Sequence, residues 1–124
     1  MRFLLVCLGG AAGTGARYLF GGWAQRTLGV GFPYGTLIIN AVGSFLLVMI
    51  MYLSLETGVL SPDARVILGT GVMGGFTTYS TFNYETFRLF QQGSFGTAAL
   101  YLAATVVGCL GAGALGLVLA RAIG

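Results

Sequence analysis

The sequence predicts an all-α membrane protein with four transmembrane helices, the third broken mid-membrane. Three observations carry that prediction. Of 124 residues, 56% are apolar and only 7% are charged, with a mean hydropathy of +0.91; a soluble domain carries about a quarter charged residues. The apolar residues fall into four runs, roughly 3–23, 34–55, 64–90 and 94–120, each long enough for the ~20 residues that a hydrocarbon core requires. Inside the third run stands Gly74-Gly75-Phe76-Thr77-Thr78-Tyr79-Ser80-Thr81-Phe82. Adjacent glycines weaken a helix, and hydroxyl residues crowd the positions after them. Lipid leaves no backbone group unpaired, so a break there must face protein or a polar cavity. Interrupted helices at mid-depth are a recurring way to build ion sites.

The first run opens Met1-Arg2-Phe3-Leu4-Leu5-Val6-Cys7. It continues through Gly9–Gly15 without a clean cleavage site, so it reads as a span rather than a signal peptide. Gly9 and Gly13, spaced four apart, allow close helix approach in lipid. Arg17 ends this stretch, either snorkelling to the interface or lending positive charge to a vestibule that attracts anions.

The second run carries Asn40 and Ser44 on one helical face. A span-borne Asn faces protein or water. It either bonds a neighbouring helix or lines a path, and the pattern does not choose.

In the third run the interruption at 74–78 lies about ten residues in, or ~15 Å at the helical rise. Tyr79 and Phe82 follow at spacing three. They pack as ordinary aromatics or turn their positive ring edges to a dehydrated anion. Glu85 comes one turn later and can cap the break, bond a hydroxyl or carry protons. Gly69-Thr70-Gly71-Val72-Met73-Gly74 matches G-x-G-x-x-G, but no strand precedes it, so its glycines read as packing devices.

The fourth run has a small-residue ridge, Ala104, Gly108, Ala112, Gly116 and Ala120. Beside it, Tyr101, Thr105 and Cys109 share a stripe at spacing four, which reads as a polar track. Cys7 and Cys109 read as free thiols behaving as small apolar residues.

The chain has no His and no Lys, and its acids are Glu56, Asp63 and Glu85. Metal clusters and carboxylate-based active sites are thereby excluded, and no enzyme is expected. Four spans place Arg2, Arg65 and Arg121 on one side and Arg17, Arg26 and Arg88 on the other. Orientation follows the Lys/Arg excess, and here there is none. The chain is expected to insert both ways up and to pair with an inverted copy, the two-chain version of an inverted repeat. With a formal charge of +3 and donors that outnumber acids, the permeant ion is expected to be an anion.

These residues resemble the small bacterial fluoride channels, the Fluc or CrcB family. The resemblance rests on Gly13-Thr14-Gly15-Ala16-Arg17, on Gly35-Thr36-Leu37 with Asn40 and Gly43, and above all on Gly74–Phe82 with Glu85. It covers nearly the whole chain. It implies an antiparallel, dual-topology homodimer in the bacterial inner (plasma) membrane, with two antiparallel pores that export fluoride passively. It implies a central structural Na⁺ held by the backbone carbonyls of Gly74 and Thr77. It implies a fluoride pathway of Asn40, Tyr79, Ser80, Thr81, Phe82, Tyr101, Thr105 and Cys109, with Arg17 in the vestibule and Glu85 and Ser44 as structural polar groups. Nucleic acid is not an expected partner. Tyr79 replaces the family's usual Phe, and Cys109 a common Ser; a thiol is the weaker donor. Two rival functions remain, a proton-coupled exporter and a non-conducting membrane scaffold. The first lacks an acid in 3–23, and the second gives no reason for the threonine-rich break.

Overall fold

The computed structural model describes Met1–Gly124 as helices joined by short turns. α1 runs Arg2–Leu28, beyond the apolar run's end at Trp23. It stops where Gly29 takes φ +88°, a left-handed conformation open to glycine. α2 spans Tyr34–Leu55. Ser61 then starts the third rod: its hydroxyl accepts the Ala64 N–H, and Pro62 fills the first helical position.

That rod is not a plain α-helix. It begins as α3 (Pro62–Arg65), continues as a π-helix over Val66–Met73 and closes as α4 (Gly74–Phe76). The Gly74 N–H reaches back five residues to the Gly69 carbonyl, the π pattern. Thr77 and Thr78 are extended, with φ/ψ of −87°/158° and −153°/117°. α5 (Tyr79–Gln91) follows, capped by Thr78, and α6 (Phe95–Ile123) ends the chain. The third rod is therefore interrupted, but at Thr77–Thr78. Gly74 and Gly75 remain helical, which corrects the expectation that the glycine pair itself is the break.

The glycines have another task. α1 lies against the π-helix and α4, while α2 lies along α6. A Cβ at Gly75 would run into the Gly10 carbonyl and lie 2.9 Å from Thr14 Oγ1; one at Gly13 would strike the Val72 carbonyl. A Cβ at Gly71 would sit 2.9 Å from the Val6 carbonyl oxygen. Backbone meets backbone along this seam, which only glycine permits. The ridge on α6 is used in part. Gly116 abuts Phe45's backbone, where a Cβ would lie 2.5 Å from the carbonyl oxygen, whereas Gly108 is exposed.

Only 18 of 124 residues are buried, and residues such as Leu4, Leu8, Val107, Leu110 and Val118 are exposed. That distribution suits a protein whose surroundings are lipid. α1, α2 and α6 are each long and apolar enough to cross a membrane. The small core, Phe82, Leu89, Ala98 and Tyr101 with Phe32 and Leu37 packed on it, ties α5 to α6 beside the interruption.

Candidate functional site

Breaking a helix releases backbone donors and acceptors that need partners. Three side chains take most of them. Asn40 on α2 donates its Nδ2 to the Thr78 carbonyl at 2.9 Å and accepts the Thr78 N–H on Oδ1, also at 2.9 Å. The side chain copies the two-point pairing of a neighbouring strand. Thr78 Oγ1 accepts the Thr81 N–H at 3.2 Å and donates to Thr81 Oγ1 at 3.0 Å. Arg17 Nε donates to the Gly75 carbonyl at 3.0 Å, with Thr14 Oγ1 at 3.5 Å from the same oxygen.

Two carbonyls are treated differently. In an α-helix each carbonyl accepts from the N–H four residues on. For Gly74 that donor is Thr78, whose N–H is turned to Asn40. For Thr77 it is Thr81, whose N–H is turned to the Thr78 hydroxyl. The Gly74 and Thr77 carbonyls are thus left for a partner outside the helix. Bare carbonyl oxygens are the donor type that a hard cation such as Na⁺ takes. Gly43 lets the Thr77 methyl sit against α2, where any Cβ would collide with it, and Thr77 Oγ1 donates back to the Met73 carbonyl at 2.9 Å.

Below the interruption runs an aromatic column. Tyr79 and Phe82 meet edge-on at 5.7 Å between centroids, and Phe82 meets Tyr101 at 5.1 Å. Phe32 adds an edge contact to Tyr101 at 5.5 Å. Phe82 is 6% exposed and Tyr101 is fully buried, whereas Tyr79 is 77% exposed. The Tyr101 hydroxyl donates to Glu85 Oε1 at 2.9 Å, so Glu85 does bond a neighbouring hydroxyl. One turn along α6, Thr105 Oγ1 is buried without a hydrogen-bond partner. A helical Thr usually bonds its own backbone; this one does not.

A cavity of about 1070 Å³ opens above these groups, between α1, α2 and α5. Thr78, Thr81 and Glu85 line it, together with Arg17, Arg26 and Arg88. Three guanidinium groups face one carboxylate, which is already bonded to Tyr101. The vestibule is electropositive, and Arg17 stands at its wall as well as at the Gly75 carbonyl.

The structure therefore gathers Arg17, Asn40, Thr77, Thr81, Phe82, Glu85, Tyr101 and Thr105 around one interruption. Ser80 and Gly74 are exposed beside it, and Cys109 is half-buried further along α6. Ser44 makes no side-chain hydrogen bond, so it shares Asn40's face without sharing its task. Sequence reasoning missed Thr78 as cap and hydroxyl donor, Thr14, and the vestibule arginines Arg26 and Arg88. Thr78 was findable, as a hydroxyl residue before a polar helix start is a capping signal.

Residues 4–117 match the model of the family described as CrcB-like protein, Camphor Resistance (CrcB). A protein of Anaeromyxobacter sp. (strain K), named fluoride-specific ion channel FluC, is 62% identical over 109 residues, covering 88% of this chain and 86% of that protein. Relatives of the same name from Sorangium cellulosum (strain So ce56) and Thermus thermophilus are 52% and 55% identical, over 97% and 81% of this chain and 94% and 78% of their own lengths. With a family match over most of its length and relatives this similar, the chain, whose third rod is interrupted at the heart of its fold, belongs to the CrcB-like family.

Proposed function

We propose that this protein is a fluoride channel of a bacterial plasma membrane, an antiparallel dual-topology homodimer whose two pores let fluoride leave passively. The observation that carries the reading is the Thr105 hydroxyl, buried without a partner one turn from Tyr101. An unpaired buried hydroxyl costs about 1–3 kcal/mol, a cost that an anion shed of water relieves. Fluoride is small and strongly hydrated, so a narrow route must replace its shell with donors. The hydroxyls of Ser80, Thr81 and Thr105 and the edges of Tyr79 and Phe82 supply such donors, with Cys109 extending the track. The relatives' names point to the same ion.

The dimer is supported by what one copy leaves bare. Gly74, Tyr79 and Ser80 are exposed beside the interruption, and lipid cannot satisfy polar groups at that depth. Arg17, Arg26 and Arg88 gather at one cavity, and Arg2, Arg65 and Arg121 belong to the other end, so a count of arginines favours neither orientation. A second, inverted copy covers the bare face. Na⁺ at the junction, held by Gly74 and Thr77 carbonyls, supplies positive charge that favours an anion nearby.

Proteoliposomes loaded with fluoride and read with a fluoride electrode test this. The native chain should discharge fluoride and retain chloride, and Phe82→Ile should slow efflux at least about tenfold, the effect of removing one donor worth ~1.4 kcal/mol at the barrier. Equal chloride and fluoride permeation, or unchanged efflux in the variant, rejects the proposal.

The vestibule charges make a separate prediction. Replacing Arg26 and Arg88 together by Gln should lower fluoride flux several-fold at about 0.01 M ionic strength. The deficit should shrink to under about twofold at 1 M, where the screening length falls from ~30 to ~3 Å. Flux measured against salt decides it.

A further inference from the structure

Arg65 and Arg121 are left without a carboxylate partner at their end of the molecule, and Arg65 borders a groove. Arg2 is matched: its Nη2 lies 2.8 Å from Asp63 Oδ1, and its Nε donates to the same oxygen at 2.9 Å. Arg65 has no carboxylate partner. Its one side-chain hydrogen bond runs from Nη1 to the neutral Ser54 hydroxyl at 3.2 Å, which leaves most of a five-donor fork without an acceptor.

Beside it lies a groove of about 350 Å³ between α2 and the π-helix. Leu47 and Met51 form one wall, and Val66, Gly69 and Thr70 the other, with Arg65 at the mouth. Gly69 keeps the floor open, because a Cβ there would meet only Leu47 Cδ1 at 3.5 Å and Met51 Sδ at 4.0 Å. From Arg65 to Thr70 the groove extends ~7 Å at the helical rise. Arg65 comes four residues after the capping Ser61, about 6 Å into the rod, where a long side chain reaches the headgroup level.

We infer that this groove binds an anionic glycerophospholipid, its phosphate on the Arg65 guanidinium and one acyl chain along Leu47, Met51 and Gly69. A guanidinium matches phosphate as a planar fork, and basic pockets between spans are a recurring headgroup site. A zwitterionic lipid carries the same phosphate, but its ammonium cancels the charge that Arg65 reads. The inference does not depend on which ion the channel carries.

Native mass spectrometry of the full-length protein, released from micelles doped with phosphatidylglycerol or phosphatidylcholine, tests it. The native chain should retain phosphatidylglycerol about fivefold more than phosphatidylcholine, the preference that one arginine near a lipid surface supplies. Arg65→Gln should bring the ratio close to one. Gly69→Leu, which fills the groove and leaves the charge, should reduce retention of both lipids; Leu47→Trp does the same if the glycine variant does not fold. Equal retention by the native chain, or an undiminished preference in Arg65→Gln, overturns the site. So does a Met51→Cys thiol that bridges two copies, because the groove is then an interface.

Discussion

Asn40→Leu should abolish conduction while leaving the helical fold insertable. The substitution removes both bonds to Thr78 and strands a backbone N–H and C=O in a partly buried place. Each stranded group costs about 1–3 kcal/mol, so the local penalty is about 2–6 kcal/mol. Asn40 is the side chain that bonds the backbone of the extended Thr77–Thr78 pair. The chain should relieve the penalty by closing toward continuous helix, which withdraws the Gly74 and Thr77 carbonyls and turns the Thr81 hydroxyl. At a factor of ten per 1.4 kcal/mol, fluoride efflux should fall by roughly 30-fold or more. Efflux from proteoliposomes measures the loss, and size-exclusion chromatography checks that assembly survives. Asn40→Asp separates the two bonds: it keeps the acceptor for the Thr78 N–H, loses the donor to the carbonyl, and should be impaired as well. Efflux within twofold of native in Asn40→Leu would show that the interruption holds itself open.

The largest stability effect is expected at the seam between α1 and the third rod. Gly13→Ala places a methyl against the Val72 carbonyl, and Gly75→Ala places one against the Gly10 carbonyl. In each case the obstacle is backbone, which cannot rotate aside. Overpacking typically costs 1–3 kcal/mol and occasionally more, and these positions belong at the upper end. A loss of about 3 kcal/mol should lower the unfolding midpoint by roughly 10 °C. Gly96→Ala is the control. It is helical, and its new methyl meets nothing within 4 Å, so relief of backbone entropy should stabilise it by about 0.4–1 kcal/mol. A thermal scan of the purified variants compares them. If Gly13→Ala and Gly96→Ala unfold alike, the close approach is not what those glycines provide.

The two predictions mark different distances from the sequence. That a glycine pair lies near an interruption is visible in Gly74-Gly75. Which residues break the helix is not. Both glycines stay helical; the missing side chain of Gly75 answers the approach of α1, whereas a Cβ at Gly74 would meet only the Gly69 carbonyl oxygen at 3.9 Å. The extended pair lies at Thr77–Thr78, where Asn40 supplies what the helix loses. The π-helix was hidden for a related reason. Val66–Met73 has Thr70 as its one polar side chain, so no periodicity betrays the wider turn. Tyr101, Thr105 and Cys109 were readable as a stripe, since spacing of four is a property of one helix. The pairing of Tyr101 with Glu85 was not, because it joins two helices.

Residue order alone gave the signs of an apolar, all-helical membrane chain with a polar interruption within its third apolar run. Hydropathy, span length and local hydroxyl content need no knowledge of neighbours to be read. The assignment of each freed backbone group came from the folded arrangement: Arg17 to the Gly75 carbonyl across 58 positions and Asn40 to Thr78 across 38, with Gly74 and Thr77 passed over. Hydrogen bonds act over about 3 Å, so a partner is chosen by which helices touch, and that is settled by packing.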